Sequence, residues 1–170
     1  MHVRTLTPED AAGYQALRLR GLAEAPTAFA SSYEEEVGTP VDEIARRLQP
    51  KESGTIFGAF AQEEMVGLAG VQRESMLKLS HKASLWGMYT SPEHRRSGVA
   101  SLLLRHALPY ASQSLGVLQV NLGVNTDNAS AIALYRSFGF VVWGTEVGSL
   151  FVGGKPHSEH HMVCWAAGAA

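Results

Sequence analysis

The order in which apolar patterns follow one another restricts the fold of this chain more than any other feature of its sequence. Thr55 to Gln62 and Met65 to Arg73 are short apolar runs on either side of an acidic pair, a pattern typical of a hairpin, and Lys82 to Tyr89 follows as a third strand. After Ser91-Pro92 the apolar period becomes helical, and strands and helices then alternate. This order predicts an α/β fold with a central sheet of mixed strand direction.

The alternating part begins with a long, largely buried helix that starts close to Gly98 and continues to about Leu115. The predicted elements after it are a strand at Val117 to Val124, a helix at Asn128 to Phe138, a strand at Phe140 to Val147 and a last strand at His160 to Trp165. Val152 to Pro156 contains two glycines and no helix follows it, so we interpret it as a hairpin loop.

Two helices are predicted near the N-terminus. Thr7-Pro8 and Thr39-Pro40 each place a capping hydroxyl before a proline, with acidic residues in the first turn. These signals predict helices at about Pro8 to Glu24 and about Pro40 to Leu48. Ala25 to Gly38, between them, fits no single period and is interpreted as a loop or a short helix.

Size and charge limit the classes of function. A chain of 170 residues, 45% of them hydrophobic, is expected to form one domain over residues 1–170. The net charge of -2 gives no overall attraction to nucleic acid or to anionic membranes, so neither is expected as a partner. The single cysteine, Cys164, allows no intrachain disulfide and is expected to be a small buried hydrophobe. Met1 to Asp10 lacks the apolar stretch of a signal peptide, and we expect a cytoplasmic protein.

The segment from Met88 to Ser101 carries the first chemical signal. In it a strand ends, a loop with Arg95 and Arg96 follows, and a helix begins close to Gly98. The first turn of a helix has unpaired N–H groups and the positive end of the helix dipole, and glycine allows a ligand to approach the backbone. The segment therefore predicts a pyrophosphate site, although a polar loop before a helix is also an ordinary structural feature.

The second signal lies between Asn125 and Phe140. Asn128 is a good helix N-cap and Gly139 a good helix terminator, while Tyr135 lies about two turns beyond Asn128 on the same side of the helix. The residues expected to form the buried stripe of this helix are Ala131, Leu134 and Phe138. An amide and a phenol are therefore predicted to face one cleft.

Taken together, the two segments resemble the GNAT N-acetyltransferase superfamily. The resemblance runs from about Lys82 to Trp143 and is carried by Arg95-x-x-Gly98-x-Ala100 followed by Asn128, Ala131, Leu134-Tyr135 and Gly139-Phe140. Ala100 stands where many members have glycine, a replacement that the motif commonly admits. The resemblance implies a GNAT-like mixed sheet, flanked by helices, in which two parallel strands splay apart around acetyl-CoA.

The resemblance also implies roles for individual residues. Backbone groups of Met88, Tyr89 and Thr90 would pair with the pantetheine arm of acetyl-CoA, and Tyr135 would be the catalytic general acid near the thioester sulfur. Asn128 would contact the cofactor, with Ala131 beside it. The pyrophosphate would be bound by the segment that comprises Arg95, Arg96, Ser97, Gly98, Val99, Ala100 and Ser101.

These roles predict an N-acetyltransferase in which a primary amine of a small molecule or peptide attacks the acetyl group directly, without a metal ion. A protein N-terminal or lysine acetyltransferase and a non-catalytic acyl-CoA sensor are the alternatives. Glu34 and Glu35 are candidates for lining the acceptor side, although such an acidic run more often forms a solvated surface. The resemblance further implies that a homodimer can form through the C-terminal strands.

The remaining candidate residues give weaker indications of a functional site. His157, His160 and His161 suggest metal ligands, but neighbouring histidines in a strand point to opposite faces, so no metal site is expected. Trp86 and Met88 are two positions apart in a strand, which predicts that they share one face.

Overall fold

The computed structural model describes residues 1–165. In this part of the chain a seven-stranded sheet of order β1-β2-β3-β4-β5-β7-β6 forms the centre of the fold. Its strands are β1 (His2–Thr5), β2 (Gly54–Ala61), β3 (Glu64–Arg73), β4 (Lys82–Thr90), β5 (Gln119–Asn125), β6 (Val141–Val152) and β7 (Lys155–Trp165). β4 and β5 are parallel and every other neighbouring pair is antiparallel. The predicted sheet of mixed direction is thus confirmed.

Helices cover both faces of this sheet. They are α1 (Ala11–Glu24), α2 (Tyr33–Glu36), α3 (Val41–Arg47), α4 (Val99–Pro109) and α5 (Ala129–Ser137). α4 and α5 contribute Leu103, Leu104 and Ile132 to one buried cluster, and α1 and α3 contribute Leu22 and Ile44 to a second. None of the helices within residues 1–165 is both long and apolar enough to cross a membrane.

The ends of the chain differ from the prediction in two ways. β1 was not predicted, because it is only four residues long and mostly exposed, so it leaves no clear alternation in the sequence. The last strand begins at Lys155 rather than near His160. Gly153 and Gly154 both have positive φ angles and form the predicted hairpin turn, which lets the strands on either side continue directly into it.

In α5 the buried stripe was predicted wrongly. The buried residues are Ile132 and Tyr135, whereas Ala131, Leu134 and Phe138 are only partly buried. The reason is tertiary, because one side of α5 faces an open cleft and Ala131 and Leu134 line that cleft. The hydrophobic residues of this helix therefore line the cleft as well as packing into the core.

β4 and β5 pair only where they begin. Three residue pairs join them, from Lys82 with Gln119 to Ser84 with Asn121, and beyond that point no pairing joins these two strands. β5 remains paired along its whole length, but with β7 on its other side. The second half of β4 therefore has an unpaired edge towards β5, as the predicted splayed strands require.

Candidate functional site

A cleft of about 780 Å³ opens at the end of β4, between the first turns of α4 and α5. We call it the cofactor cleft. The residues that were predicted for the site and line it are Met88, Tyr89, Thr90, Arg95, Arg96, Gly98, Val99, Ala100, Ser101, Asn128, Ala131 and Tyr135. Ser97 does not line it, because its hydroxyl donates to the backbone carbonyl of His94 at 2.6 Å. Two separate segments of sequence thus meet in one cavity.

The start of α4 offers unpaired backbone donors to this cleft. The first main-chain hydrogen bond of the helix runs from Leu102 N to Gly98 O at 2.9 Å, so the N–H groups of the turn before Leu102 have no partner within the helix. Gly98 has a φ of +87°, and a Cβ atom added there would meet no protein atom within 4 Å. The glycine is therefore required by its backbone conformation, and the space above it is open to a ligand.

The two arginines of the preceding loop have different surroundings. Arg95 forms an ion pair with Glu24 at 2.6 Å, and its Nε donates to the Thr90 carbonyl at 3.2 Å. Arg96 forms no ion pair within residues 1–165. Glu24 partly offsets the charge of Arg95, so Arg96 is the cation that remains available to an anionic ligand in the cleft.

Glu24 also accepts a hydrogen bond from the hydroxyl of Tyr89. This hydrogen bond and the one from Arg95 lower the pKa of Glu24 below its ordinary value. Burial, together with the neighbouring carboxylate, raises the pKa of Tyr89 to about 12. Glu24 is therefore ionised near neutral pH and connects α1 to β4 and to the loop before α4.

Tyr135 reaches the cofactor cleft from α5. Only 7% of the residue is exposed, and its ring packs edge-on against Phe140 with the ring centres 5.7 Å apart. Burial raises the pKa of Tyr135 to about 12, so the phenol keeps its proton near neutral pH. The side chain is held rigidly in a form that can donate a hydrogen bond.

Asn128 caps α5 as predicted. Its side-chain Oδ1 accepts from Ala131 N at 3.1 Å and from the Ser130 hydroxyl at 3.0 Å. The cap uses the oxygen of the amide, which leaves the NH₂ group available to a ligand in the cleft.

A bulge in β4 lies next to the cleft. Leu68 of β3 pairs with Tyr89, but Gly70 pairs with Trp86, so β4 has one extra residue, and Gly87 there has a φ of +64°. The extra residue reverses the alternation of side chains along β4. The prediction that Trp86 and Met88 share a face was therefore wrong.

Met88 packs against the α4 and α5 side of the sheet. Trp86 lines a second cavity, of about 310 Å³, which we call the acceptor-side cavity. It is lined by Leu6, Tyr14, Arg18, Ser31, Glu36, Arg47, Leu48, Gln49, Lys51, Gly54, Thr55, Ile56, Gln72 and Trp86. The sequence analysis did not identify this cavity.

Arg18 was missed although a signal existed. It falls on the buried stripe of α1 with Tyr14, Gly21 and Leu22, and an arginine within an apolar stripe needs a specific partner when it is buried. Its partner is Glu36, at 2.8 Å. Burial alone would raise the pKa of Glu36, but hydrogen bonds from Arg18 and Ser31 outweigh it and lower that pKa below its ordinary value.

Glu34 and Glu35 lie on the exposed surface of α2 and line neither cavity. Glu35 instead accepts a hydrogen bond from Ser32 N at 2.7 Å and so completes the cap of its own helix. Their contribution to acceptor binding stays a prediction, while the neighbouring Glu36 lines the acceptor-side cavity.

The histidines near the C-terminus have separate partners. His160 bonds to Thr145 at 2.8 Å, and His161 bonds to Glu146 at 3.0 Å. Over residues 1–165 no group of three or more His, Cys, Asp or Glu side chains is arranged to hold a metal ion. Cys164 is only partly buried, its Sγ lies 3.4 Å from the Phe138 carbonyl, and burial raises the pKa of the thiol.

Residues 22–140 match the family model described as the acetyltransferase (GNAT) family. A solved GNAT-family acetyltransferase from Streptococcus pneumoniae superposes with a TM-score of 0.86 at 23% identity, covering 96% of this chain and 98% of that one. This likeness establishes the fold. Since the family match takes in well over half of the chain, the protein belongs to the GNAT acetyltransferase family.

Three curated relatives are similar to part of this chain. The chain is 31% identical over 109 residues to N-acetyltransferase 8 of Homo sapiens, covering 60% of this chain and 45% of that protein. It is 30% identical over 102 residues to spermidine N(1)-acetyltransferase of Vibrio cholerae, covering 60% and 57%. It is 32% identical over 82 residues to L-amino acid N-acetyltransferase AaaT of Escherichia coli, covering 48% and 50%. The chain spans about half the length of these curated relatives.

Proposed function

We propose that this protein is an N-acetyltransferase that transfers the acetyl group of acetyl-CoA to the primary amine of a small molecule or peptide. The observation that carries the proposal is the cofactor cleft, where the unpaired N–H groups of α4, the unpaired edge of β4 and the phenol of Tyr135 converge. Membership of the family supports the choice of acetyl-CoA. Direct transfer from the thioester to an amine needs no metal ion.

Several features of the cleft support acetyl-CoA as its ligand. The segment from Arg96 to Ser101 offers backbone donors, a cation that has no ion pair in the described part of the chain, and open space above Gly98, as a pyrophosphate requires. The backbone of Met88, Tyr89 and Thr90 would bind the pantetheine arm as an added strand, because the edge of β4 facing β5 is unpaired there. When bound, acetyl-CoA supplies the activated acetyl group.

Groups of the protein can assist the transfer at two atoms of the thioester, the carbonyl oxygen and the leaving sulfur. A backbone N–H near Met88, beside the bulge at Gly87, can stabilise negative charge that develops on a carbonyl oxygen. Tyr135 keeps its proton near neutral pH and can donate it towards a leaving sulfur. A thiol has a pKa of about 8.5, below that of Tyr135, so we expect a hydrogen bond to the sulfur to be the main contribution of the phenol.

The acceptor class is the finer part of this proposal. The names of two relatives, one acting on spermidine and one on L-amino acids, support a small amine. Acetylation of protein N-termini or lysines and a non-catalytic sensor remain the rival functions. Retention of a buried, protonated Tyr135 favours an enzyme over a sensor, because binding CoA does not require a phenol near the sulfur.

The C-terminal strands support a homodimer as a further part of the proposal. β6 is the edge strand of the sheet, and it exposes Trp143, Val147 and Phe151, which are 64%, 87% and 76% exposed. A second copy could cover these side chains. Light scattering of the purified protein would measure the mass, and a monomer at all concentrations would exclude this dimer.

Two measurements test the proposed function. Calorimetry should find tighter binding of CoA than of pantetheine, which lacks the phosphates. Equal affinities would contradict the proposed pyrophosphate site. A screen of amines with acetyl-CoA, following release of the free thiol, should identify an acceptor. Binding of CoA without acetylation of any amine would favour the sensor.

A further inference from the structure

Arg18 is the most deeply buried cation at the acceptor-side cavity, with only 8% of the residue exposed. Its Nε donates to Glu36 at 3.1 Å, and its Nη2 donates to Glu36 at 2.8 Å and to the Ser31 hydroxyl at 2.9 Å. Its Nη1 is buried and has no hydrogen-bond partner within residues 1–165. Two N–H bonds of a buried guanidinium are therefore left without an acceptor.

Such an arrangement is costly unless a ligand or a water molecule completes it. A buried donor that gives up water without gaining a partner destabilises the fold, and the penalty is larger when the donor carries charge. The other side of the guanidinium is fully engaged by Glu36 and Ser31, which fixes the orientation of Nη1. The Arg18–Glu36 pair thus holds an unused donor pair in a defined position.

This donor lies near residues that are close to both cavities. A Cβ atom built on Gly87, the bulge residue of β4, would lie 3.8 Å from Arg18 Nη1. The guanidinium also stacks on Phe29, with Cζ 4.7 Å from the ring centre, and Phe29 lines the cofactor cleft. Arg18 is therefore close to the part of β4 where the transfer is proposed to occur.

The charges around the cavity favour an anionic group. Three cations line it, namely Arg18, Arg47 and Lys51, and Glu36 is the only acid among the lining residues. Arg47 is paired with Glu43 on the surface. A polyamine, which carries several positive charges, would be repelled by this lining, whereas a carboxylate would be attracted.

The remainder of the wall is uncharged and combines apolar residues with polar ones such as Ser31, Thr55 and Gln72. Leu48, Ile56 and Trp86 line the cavity, and Trp86 is 40% exposed. The volume of the acceptor-side cavity, about 310 Å³, is at the lower end of the range for ligand pockets. These features suit one small molecule with an apolar side chain better than a protein segment.

We propose that the acceptor is a free α-amino acid with an apolar side chain, whose carboxylate binds Arg18 Nη1. This inference rests on the proposed acetyl transfer and specifies its acceptor. In an α-amino acid the carboxylate is one carbon away from the amine, so an anchor this close to the β4 bulge directs the amine to the reacting carbonyl. A peptide N-terminus has an amide in place of that carboxylate and cannot pair with Arg18 as an anion.

The reaction balances without a further reagent. The neutral amine forms a C–N bond to the acetyl carbon, and the C–S bond breaks with its electron pair going to sulfur. The amine loses one proton in forming the amide, and the CoA thiol gains one. The products are an N-acetyl amino acid and CoA.

The test compares acceptors that differ only at the carboxylate. Leucine, leucinamide and 3-methylbutylamine form one such series, and phenylalanine, phenylalaninamide and 2-phenylethylamine form another. For wild-type protein we expect kcat/KM to be about 10- to 100-fold higher for the free acid than for the amide or the amine, as for loss of a charged hydrogen bond. Faster reaction of the amide or amine would overturn the inference while leaving acetyl transfer intact.

Variants locate the source of this preference. In Arg18→Gln the preference for the acid should fall to near unity, mainly through a higher KM for the acid, with the KM for acetyl-CoA unchanged. Arg20→Gln is the matched control, because Arg20 lies on the same helix and pairs with an acid, Glu93, at the exposed surface. It should keep the wild-type preference.

The remaining outcomes are also decisive. An equal loss of kcat for all acceptors in Arg18→Gln would mean that Arg18 acts on the acetyl carbonyl, which overturns a role in acceptor binding. If Arg18→Gln fails to fold, Arg18→Lys and the wild-type acid-to-amide ratio decide the question. Failure of wild-type protein to acetylate any acceptor, despite binding CoA, would defeat the proposed function itself.

Discussion

The cofactor cleft and the acceptor-side cavity lie close to each other at the β4 bulge, yet the chain builds them in opposite ways. Two segments of the cofactor cleft, Arg95 to Ser101 and Asn128 to Tyr135, each lie around a helix N-terminus, and the end of β4 and the stretch from Glu24 to Phe29 complete the wall. The acceptor-side cavity takes its residues from α1, α2, α3, β2, β3 and β4 and from the segments that connect them. One side of the site is thus encoded locally, and the other depends on how distant elements pack.

This difference has a functional consequence. A helix N-terminus binds a phosphate group with its backbone, which any sequence supplies, so the cofactor side needs only a few special residues such as Gly98. The acceptor side depends on side chains instead, and its charged groups are Arg18, Glu36, Arg47 and Lys51. Substitutions at the two regions should therefore change different kinetic constants.

The largest effect is expected at Tyr135. Tyr135→Phe keeps the ring that packs on Phe140 but removes the hydroxyl, so kcat should fall by about 10- to 100-fold, as for loss of a hydrogen bond to the charged sulfur. Steady-state kinetics near pH 7 with an acceptor from the screen would measure it, alongside a CoA binding isotherm. The isotherm should be nearly unchanged. An unaltered kcat would remove Tyr135 from catalysis.

Gly98→Val should act on cofactor binding instead. Valine is strained at a φ of +87°, and its side chain would occupy the open space above the first turn of α4. CoA affinity should fall by about tenfold or more, a loss of at least about 1.4 kcal/mol. Calorimetry would measure it, with a thermal melt to check the fold. Normal CoA binding by a folded variant would mean that the pyrophosphate lies elsewhere.

Substitutions of the two loop arginines should have smaller effects on CoA affinity, and the two effects should differ. Arg96→Gln removes a cation without an ion-pair partner in residues 1–165, so CoA affinity should fall several-fold, and the loss should shrink as salt is added. Arg95→Gln removes a cation already paired with Glu24, and its effect on affinity should be smaller. Calorimetry at two ionic strengths would compare them. The reverse order would assign the phosphate contact to Arg95.

The smallest effect is expected at Glu34 and Glu35. Alanine at either position should raise the apparent KM of the amine by about twofold to threefold and leave that of acetyl-CoA nearly unchanged, since exposed charges act weakly through solvent. Because neither residue lines a cavity, any such effect would have to act over a distance. If neither substitution changes the KM of the amine, Glu34 and Glu35 have no part in acceptor binding and are only solvated surface residues of α2.

The cleft residues at the starts of α4 and α5 were predictable because their signals are local. The cap of α5 by Asn128, the position of Tyr135 two turns later and the glycine at the start of α4 depend on residues within a few positions of one another. The predicted helix and strand order from Lys82 onward was confirmed for the same reason. Periodicity and capping are properties of short segments, and they persist when the segments assemble.

The acceptor side was not predictable in this way. The bulge at Gly87 is defined by its pairing with β3, so the reversed order of Trp86 and Met88 leaves no trace in the local pattern. The partner of Arg18 is eighteen residues away, and only the packing of α2 against α1 decides that Glu36, rather than Glu34 or Glu35, turns inward. α2 is a single turn, too short for its own periodicity to indicate which face is buried.

The amino-acid sequence by itself determined the succession of strands and helices, the helix caps and the positions of Gly98, Asn128 and Tyr135, because neighbouring residues settle hydrogen bonding and side-chain direction within a few turns. Only the tertiary structure decided that β4 and β5 separate after three pairs, that β4 bulges at Gly87 and that Arg18 is buried with no partner for Nη1 among residues 1–165. Each of these features depends on contacts between residues far apart in the chain, and the free energy of such contacts appears only when the sheet and its helices pack together.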